Sequence, residues 1–366
     1  MKQIVFDMDF LIFEAVSVAE ERFIVATHKP TGRKMEFANK TALWGHHKKK
    51  EGGWIAEENE KLGNNYWKPE DFEVVECQRP RPFKIKGVDE FTGEPDERFD
   101  YFISPWEGAK KIIDDKIRSI CKTLGTDHYI GFTGKGNVFR HDICTLLYYK
   151  DRDDLMRPLL LDKMKQYVCD RHSTSCVEGI EADDAFNMSV LEGYNNWVKG
   201  GRKPEDRVCG VAEDKDAKQC SGWHYNPNKD TAPRLIEGFG KLFLNGKEVD
   251  GDGRMWLYFQ VGSSDSADNY AANCFSDLKW GPKSAYEELK GAKNDKEAFE
   301  ALVRIFKKLY PEKKTVEGCK GPVEIDWLYV MQECFSMAMM LRKPGDKIDV
   351  KATIDKLGVR YDESAN

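Results

Sequence analysis

The chain has 366 residues, 40% of them hydrophobic and 12% aromatic, which suits a large domain with a smaller companion or with insertions and excludes wholesale disorder. The formal net charge of −6 argues, taken alone, against a nucleic-acid binder, although a cluster of metal-binding carboxylates would bias that sum. No apolar run reaches membrane-spanning length, Asp7 comes too early for a signal peptide, and ten scattered cysteines without a C-x-x-C pair read as reduced thiols of a cytosol-like compartment.

In chain order, residues 2–6 read as a short buried strand, and the apolar stretch 10–19 as a buried helix or strand that periodicity does not separate. Residues 21–106 alternate β-like pieces, Phe23–Thr27 and Phe72–Glu76, with charged, turn-rich stretches, and are expected to be a β-rich insertion. Apolar residues at 109, 112, 113, 117, 120, 121 and 124 form a helical stripe that Gly125 ends. Strands follow at 128–133 and 207–212, with helices at about 160–170 and at Asp183–Trp197. That alternation predicts an α/β fold with a parallel sheet. The last third is mainly helical, with segments expected near 264–275, 282–291, 295–309 and 325–342. The expected division is 1–240, carrying the insertion and an arch over about 137–170, and 241–366.

Acidic residues gather after the predicted strands: Asp7 and Asp9, then Glu181, Asp183 and Asp184, then Asp214 and Asp216, then Asp265 and Asp268. In a parallel sheet the C-terminal strand ends share one edge, where ligands bind. Carboxylates crowded there repel unless a cation neutralises them, and hard divalent ions suit oxygen ligands. Any one such pair is more often a helix cap or a solvated loop. The composite order is more specific. Ile4-Val-Phe-Asp7, Gly179-Ile-Glu-Ala-Asp-Asp184, Ala212-Glu-Asp-Lys-Asp216, Gly262-Ser-Ser-Asp-Ser-Ala-Asp-Asn269 and Lys279-Trp-Gly-Pro-Lys-Ser-Ala285 together resemble the 5′-nuclease superfamily of flap endonucleases and bacteriophage 5′→3′ exonucleases. The match covers roughly residues 1–20 and 107–310.

The resemblance implies a PIN-like parallel sheet flanked by helices, with a helical C-terminal DNA-binding part of helix–turn–helix type. It implies Asp7, Glu181, Asp183, Asp184, Asp214, Asp216, Asp265 and Asp268 as ligands of two Mg²⁺ or Mn²⁺ ions acting by two-metal logic, and K⁺ at the C-terminal unit. The expected partners are DNA ends, flaps and nicks, RNA in hybrids, and replication proteins. The expected setting is a monomer in the cytoplasm, that of the host if the source is a phage. One departure stands out: the family places an aspartate after its second strand, where this chain has Thr133 and Gly134. Asp9 is the candidate to compensate.

The stretch Arg140–Pro158 matches the family's basic gateway. Lys150 and Arg140 are expected to clamp the scissile phosphate and Tyr149 to stack on a base, with Arg152 and Arg157 at arch positions. The competing reading is an exposed charged helix. Gly281, Lys283 and Ser284 surround a Pro at a helix N1 position, where free N–H groups suit a phosphate. His46 and His47 beside three lysines read as a solvated loop, and the methionines at 331, 337, 339 and 340 as helix core. Phe6-Asp7-Met-Asp9 also has the D-x-D form of a haloacid-dehalogenase phosphatase, but Leu11 fills that family's Thr or Val position. A DNA-binding scaffold without turnover and a PIN-type ribonuclease are the other rivals.

Overall fold

Ile4 to Asp7 are buried without interruption, the pattern of a strand covered on both faces. This strand, β1 (Gln3–Asp7), is central in a six-stranded sheet. The computed structural model describes residues 1–46, 52–89, 92–150 and 155–361. Two compact units share them: residues 1–10, 118–153 and 167–366 form one, and 11–117 with 154–166 the other.

α1 (Met8–Ser17) starts directly from β1 in the first unit and continues as part of the second, so the undecided stretch 10–19 is helical at least to Ser17. After α2 (Pro105–Leu124) come β2 (Tyr129–Val138), β3 (Thr174–Gly179), α3 (Ala182–Lys199), β4 (Val208–Val211), β5 (Gly222–Tyr225) and β6 (Arg234–Ile236). The sheet order is β6-β5-β4-β1-β2-β3. All neighbours are parallel except β5 and β6. The chain therefore builds outward on one side of β1 and then returns to its other side. The crevice between the C-terminal ends of β1 and β4 is the switch point where ligands bind in such sheets.

Helix α3 covers this sheet through Phe186 and Val190, which pack with Val5 and Val208. The approach is so close that a Cβ on Gly210 would lie 2.7 Å from the Phe186 ring and from Val190. The C-terminal helices α4 (Gly253–Gly262), α5 (Pro282–Leu289), α6 (Asp295–Leu309), α7 (Trp327–Ala338) and α8 (Val350–Leu357) share one large core that includes Phe259, Phe299, Phe306 and Phe335. They belong to the same compact unit as the sheet.

One expected helix is absent. Residues 264–275 form a minimal antiparallel pair, Ser264–Asp265 with Tyr270–Ala271. The Asp265 carboxylate accepts the backbone N–H groups of Ala267 and Asp268 at 2.7 and 3.4 Å, and Asn269 takes a φ of 56°. Such side-chain-to-backbone bonds compete with a helix ladder. The helix preceding α5 is instead α4, and the expected helix–turn–helix over 264–291 does not form.

The second unit holds a three-stranded antiparallel sheet, Arg33–Phe37, Glu20–His28 and Phe72–Pro80, with Glu20–His28 in the middle. Ile24, Ala26, Leu43, Ile55, Trp67 and Phe72 make its core. This is the β-rich elaboration. Among the described residues no helix is long and apolar enough to cross a membrane, and the ten cysteines form no disulfide.

Candidate active site

Three stretches of the first unit bring acids to the switch-point edge: the end of β1, the start of α3 and the turn after β4. Asp7 is 4% exposed, and its Oδ1 accepts the backbone N–H of Asp9 at 3.0 Å. Burial first, and then the charges of Asp9 and Asp214, push its carboxyl up to about 8, against hydrogen bonds from the Asp9 N–H and the Asp183 side chain. Burial likewise raises Asp183 well above the usual range, with Asp7, Asp214 and Glu181 adding repulsion. Asp216 is raised by burial and by Asp214 and Asp268, although the Gln260 amide donates to its Oδ1. A buried edge with this many acids cannot ionise fully without a compensating cation.

The remaining acids face cations of the chain itself. Lys150 Nζ contacts Glu181 Oε1 and lies 3.4 Å from Asp268 Oδ1. Burial opposes the ionisation of Glu181, but Lys150 and Arg140 outweigh it and hold its carboxyl below the usual range. Asp268 stays raised, burial and the Glu181 and Asp265 charges prevailing over Lys150. Lys215 Nζ, 2.5 Å from Asp265 Oδ2, outweighs burial there and lowers that carboxyl. Lys150 itself has a φ of 46°, and its N–H donates to the Asp268 carbonyl at 3.2 Å, so its backbone is pinned where its ammonium meets both acids.

Three of the expected site residues are engaged by the chain itself. Arg140 is 1% exposed, and all five of its N–H donors are engaged. Nε donates to the Met337 carbonyl at 3.2 Å, Nη1 to Glu181 and Asp184 at 3.1 and 2.7 Å, and Nη2 to Asp184 and the Met339 carbonyl at 2.9 and 2.8 Å. No donor remains for a phosphate. Asp184 is wholly buried and also accepts the N–H groups of Leu341 and Glu181, at 3.0 and 3.2 Å, so its lone pairs are engaged by the chain. Tyr149 is 2% exposed and its hydroxyl donates to Glu181 at 2.9 Å, which leaves no ring face for a base.

Arg152 lies outside the described residues. Arg157 belongs to the second unit, 3.6 Å from Asp162. Gly281 precedes the first turn of α5 without a side-chain cap, with Lys283 exposed and Ser284 half-buried; among the described residues they make no hydrogen bond to the acids.

Two contributors escaped sequence reading. Lys215 sits between two expected ligands, where its own charge was the available signal. Gln260 is a lone amide on a helix that is largely apolar after Arg254, and a buried polar side chain in such a run signals a partner. Thr133 donates to Asp9 Oδ1 at 2.5 Å, and the Gly134 N–H donates to Asp9 Oδ2 at 3.4 Å. A Cβ on Gly134 would lie 3.8 Å from that oxygen, so the Asp9 carboxylate faces the position that lacks an acid.

The donor set is all oxygen and carries surplus buried negative charge, which fits a hard divalent ion. Among the described residues, no three carboxylate, imidazole or thiolate side chains stand together closely enough to hold one as the chain is arranged. Lys150 and Lys215 contact carboxylates that an ion would use.

No family model matches the chain, and no curated protein does. Among solved structures, the chain is similar to the T5 D15 protein co-crystallised with metal ions, at 15% identity over 68% of this chain and 89% of that one, with a TM-score of 0.39. It is similar to a T5 5′-exonuclease mutant, at 15% identity over 68% and 88%, TM-score 0.35. The bacteriophage T5 D15 flap endonuclease in a pseudo-enzyme–product complex with DNA and metal ions is likewise similar, at 16% identity over 68% and 87%, TM-score 0.38.

Proposed function

We propose that the chain is a metal-dependent 5′-nuclease that hydrolyses phosphodiester bonds at or near the 5′ ends of duplex or branched DNA, and of RNA in hybrids. The observation that carries this reading is the mutual repulsion of Asp7, Asp183 and Asp214 at the β1/β4 switch point, a charge surplus suited to divalent cations. Asp7, Asp183, Asp214 and Asp216 would be the primary ligands, and Glu181, Asp265 and Asp268, each now beside a lysine, would be the further ones. Bound Mg²⁺ or Mn²⁺, two ions in the full site, supplies charge neutralisation and activation of water.

The chain's own residues do the rest. Arg140 and Asp184 fix the start of α3 and hold Glu181 in place. Lys150 exchanges Glu181 and Asp268 for a non-bridging oxygen of the scissile phosphate, its ammonium staying charged throughout because its acid neighbours raise its pKa against the opposing effect of burial. Asp9, held by Thr133 and Gly134, supplies negative charge where the sequence has no other acid.

The test is a cleavage assay on 5′-flapped, nicked and blunt duplexes labelled at both ends, with Mg²⁺, with Mn²⁺ and with EDTA. Metal-dependent release from the 5′ side, lost in Asp7→Asn and Asp183→Asn, supports the reading. DNA binding without turnover under either metal favours the second reading, a scaffold, which the lysine-filled site and the acid-free Thr133-Gly134 recommend.

A further inference from the structure

Asp216 and Gln219 are the two ends of a single 3₁₀ turn, Asp216–Gln219. Side chains three residues apart in such a turn lie over one another, so the two face the same neighbour. That neighbour is Gln260 of α4, which is 4% exposed. Its amide is taken at both ends: Oε1 accepts from Gln219 Nε2 at 2.7 Å, and Nε2 donates to Asp216 Oδ1. Gln219, also buried, is held in turn by the backbone around the end of α7. Its Nε2 donates to the Ala338 carbonyl at 2.8 Å, and its Oε1 accepts the Met340 N–H at 3.1 Å.

This relay has one possible sense. The Met340 N–H can only donate and the Ala338 carbonyl can only accept, which fixes the end of the Gln219 amide that faces each. Gln219 therefore meets Gln260 as a donor, and Gln260 turns Oε1 toward it and Nε2 toward Asp216. Turning either amide over would set N–H against N–H and oxygen against oxygen where water does not reach to compensate. Two buried side chains thus deliver a donor of fixed direction to one oxygen of Asp216. The other oxygen, Oδ2, receives no hydrogen bond among the described residues, and Asp216 itself is half-buried, not sealed.

We propose that Gln260 and Gln219 are positioning residues for Asp216: they commit Oδ1 to the relay and leave Oδ2 as the one oxygen with which Asp216 meets a divalent cation, Mg²⁺ or Mn²⁺. The inference rests on the metal-dependent reading above and adds to it two residues that touch no ion. A carboxylate free to rotate presents either oxygen, both or neither, whereas one pinned from behind keeps a single presentation. Loss of such an outer partner costs roughly ten- to a hundredfold in metal affinity.

The test is titration calorimetry of the full chain with Mn²⁺ in the absence of DNA. Gln260→Met, close in shape but without the N–H, is expected to weaken binding about tenfold. Gln219→Met leaves the Gln260 amide free to turn over and is expected to weaken binding about threefold. It also keeps the test open should Gln260→Met fail to fold. Because the two residues act in series, the double variant is expected to bind no more weakly than Gln260→Met alone, whereas independent structural damage would add. In an Asp216→Asn chain, Gln260→Met is expected to change nothing. Undiminished Mn²⁺ affinity in either folded single variant overturns the relay alone. So do additive losses, or a full effect of Gln260→Met in the Asp216→Asn chain. A native chain that binds no Mn²⁺ overturns the relay together with the metal-dependent reading.

Discussion

Arg140 and Asp184 face each other through two parallel hydrogen bonds of 2.7 and 2.9 Å, both side chains sealed from solvent. Removing one partner of a buried pair strands the other charge, whereas removing both does not. Arg140→Ala and Asp184→Ala are each expected to lose about 3–5 kcal/mol of unfolding free energy, with the double variant losing less than the sum. Urea denaturation of the three variants checks this. Equal and additive small losses would reject the anchoring role.

The acid edge sets a stability–pH relation of definite sign. The Asp7 carboxyl is raised to about 8 in the folded state from an ordinary value near 3.8. Its contribution is fully present below 3.8 and is lost as pH rises through about 8. Divalent ions reverse the loss, so Mg²⁺ is expected to raise Tm more at pH 8.5 than at pH 5, by a few degrees at saturating ion. Asp7→Asn and Asp183→Asn should raise Tm in EDTA and erase the metal increment. Differential scanning calorimetry at the two pH values reads both effects.

Lys150 occupies ligand space on Glu181 and Asp268. Lys150→Ala is therefore expected to tighten Mn²⁺ binding, by about fivefold, while cleavage falls by about two orders of magnitude through loss of the phosphate contact. Opposite movement of affinity and rate separates this role from a merely structural one. Calorimetry with Mn²⁺ and single-turnover cleavage supply the two numbers.

His224, buried in β5 with Nε2 3.0 Å from the Cys220 carbonyl, is lowered to about 4, chiefly by burial. A depressed histidine contributes stability above its unfolded value near 6.5 and loses it as pH falls toward 4. The loss is about 3 kcal/mol across that window. Urea midpoints at pH 7.5 and 4.5 should differ accordingly for the native chain and differ less for His224→Gln.

Much of the sheet was legible because its signals are local and periodic. β1 is a short apolar run ending in Asp7, and α3 opens on Glu181-Ala-Asp-Asp, so their placement needed only period and caps. Residues 264–275 were misread as helical because the apolar pattern does not register that Asp265 bonds its own following backbone. The functional sense of Arg140 and Tyr149 was also out of reach. Residue type marks both as phosphate or base binders, and only the distant carbonyls of Met337 and Met339 and the Glu181 carboxylate reveal that they face inward. The separation of the acids into a repelling set and a lysine-matched set depends on which side chains meet across more than a hundred residues, as Lys150 and Asp268 do.

The short backbone stretch from Met337 to Leu341 receives Arg140 on two carbonyls, donates to Asp184, and holds Asn187 and Gln219 through Leu341, Ala338 and Met340. These residues come from segments made long before it. During synthesis the sheet and α3 can form while Arg140 and Asp184 still lack these partners, and the acid edge takes its final charge pattern only when Met337–Leu341 folds back. Synthesis of this stretch thus acts as a timer on competence, and a nascent chain that lacks it presents the acids without the framework that sets them.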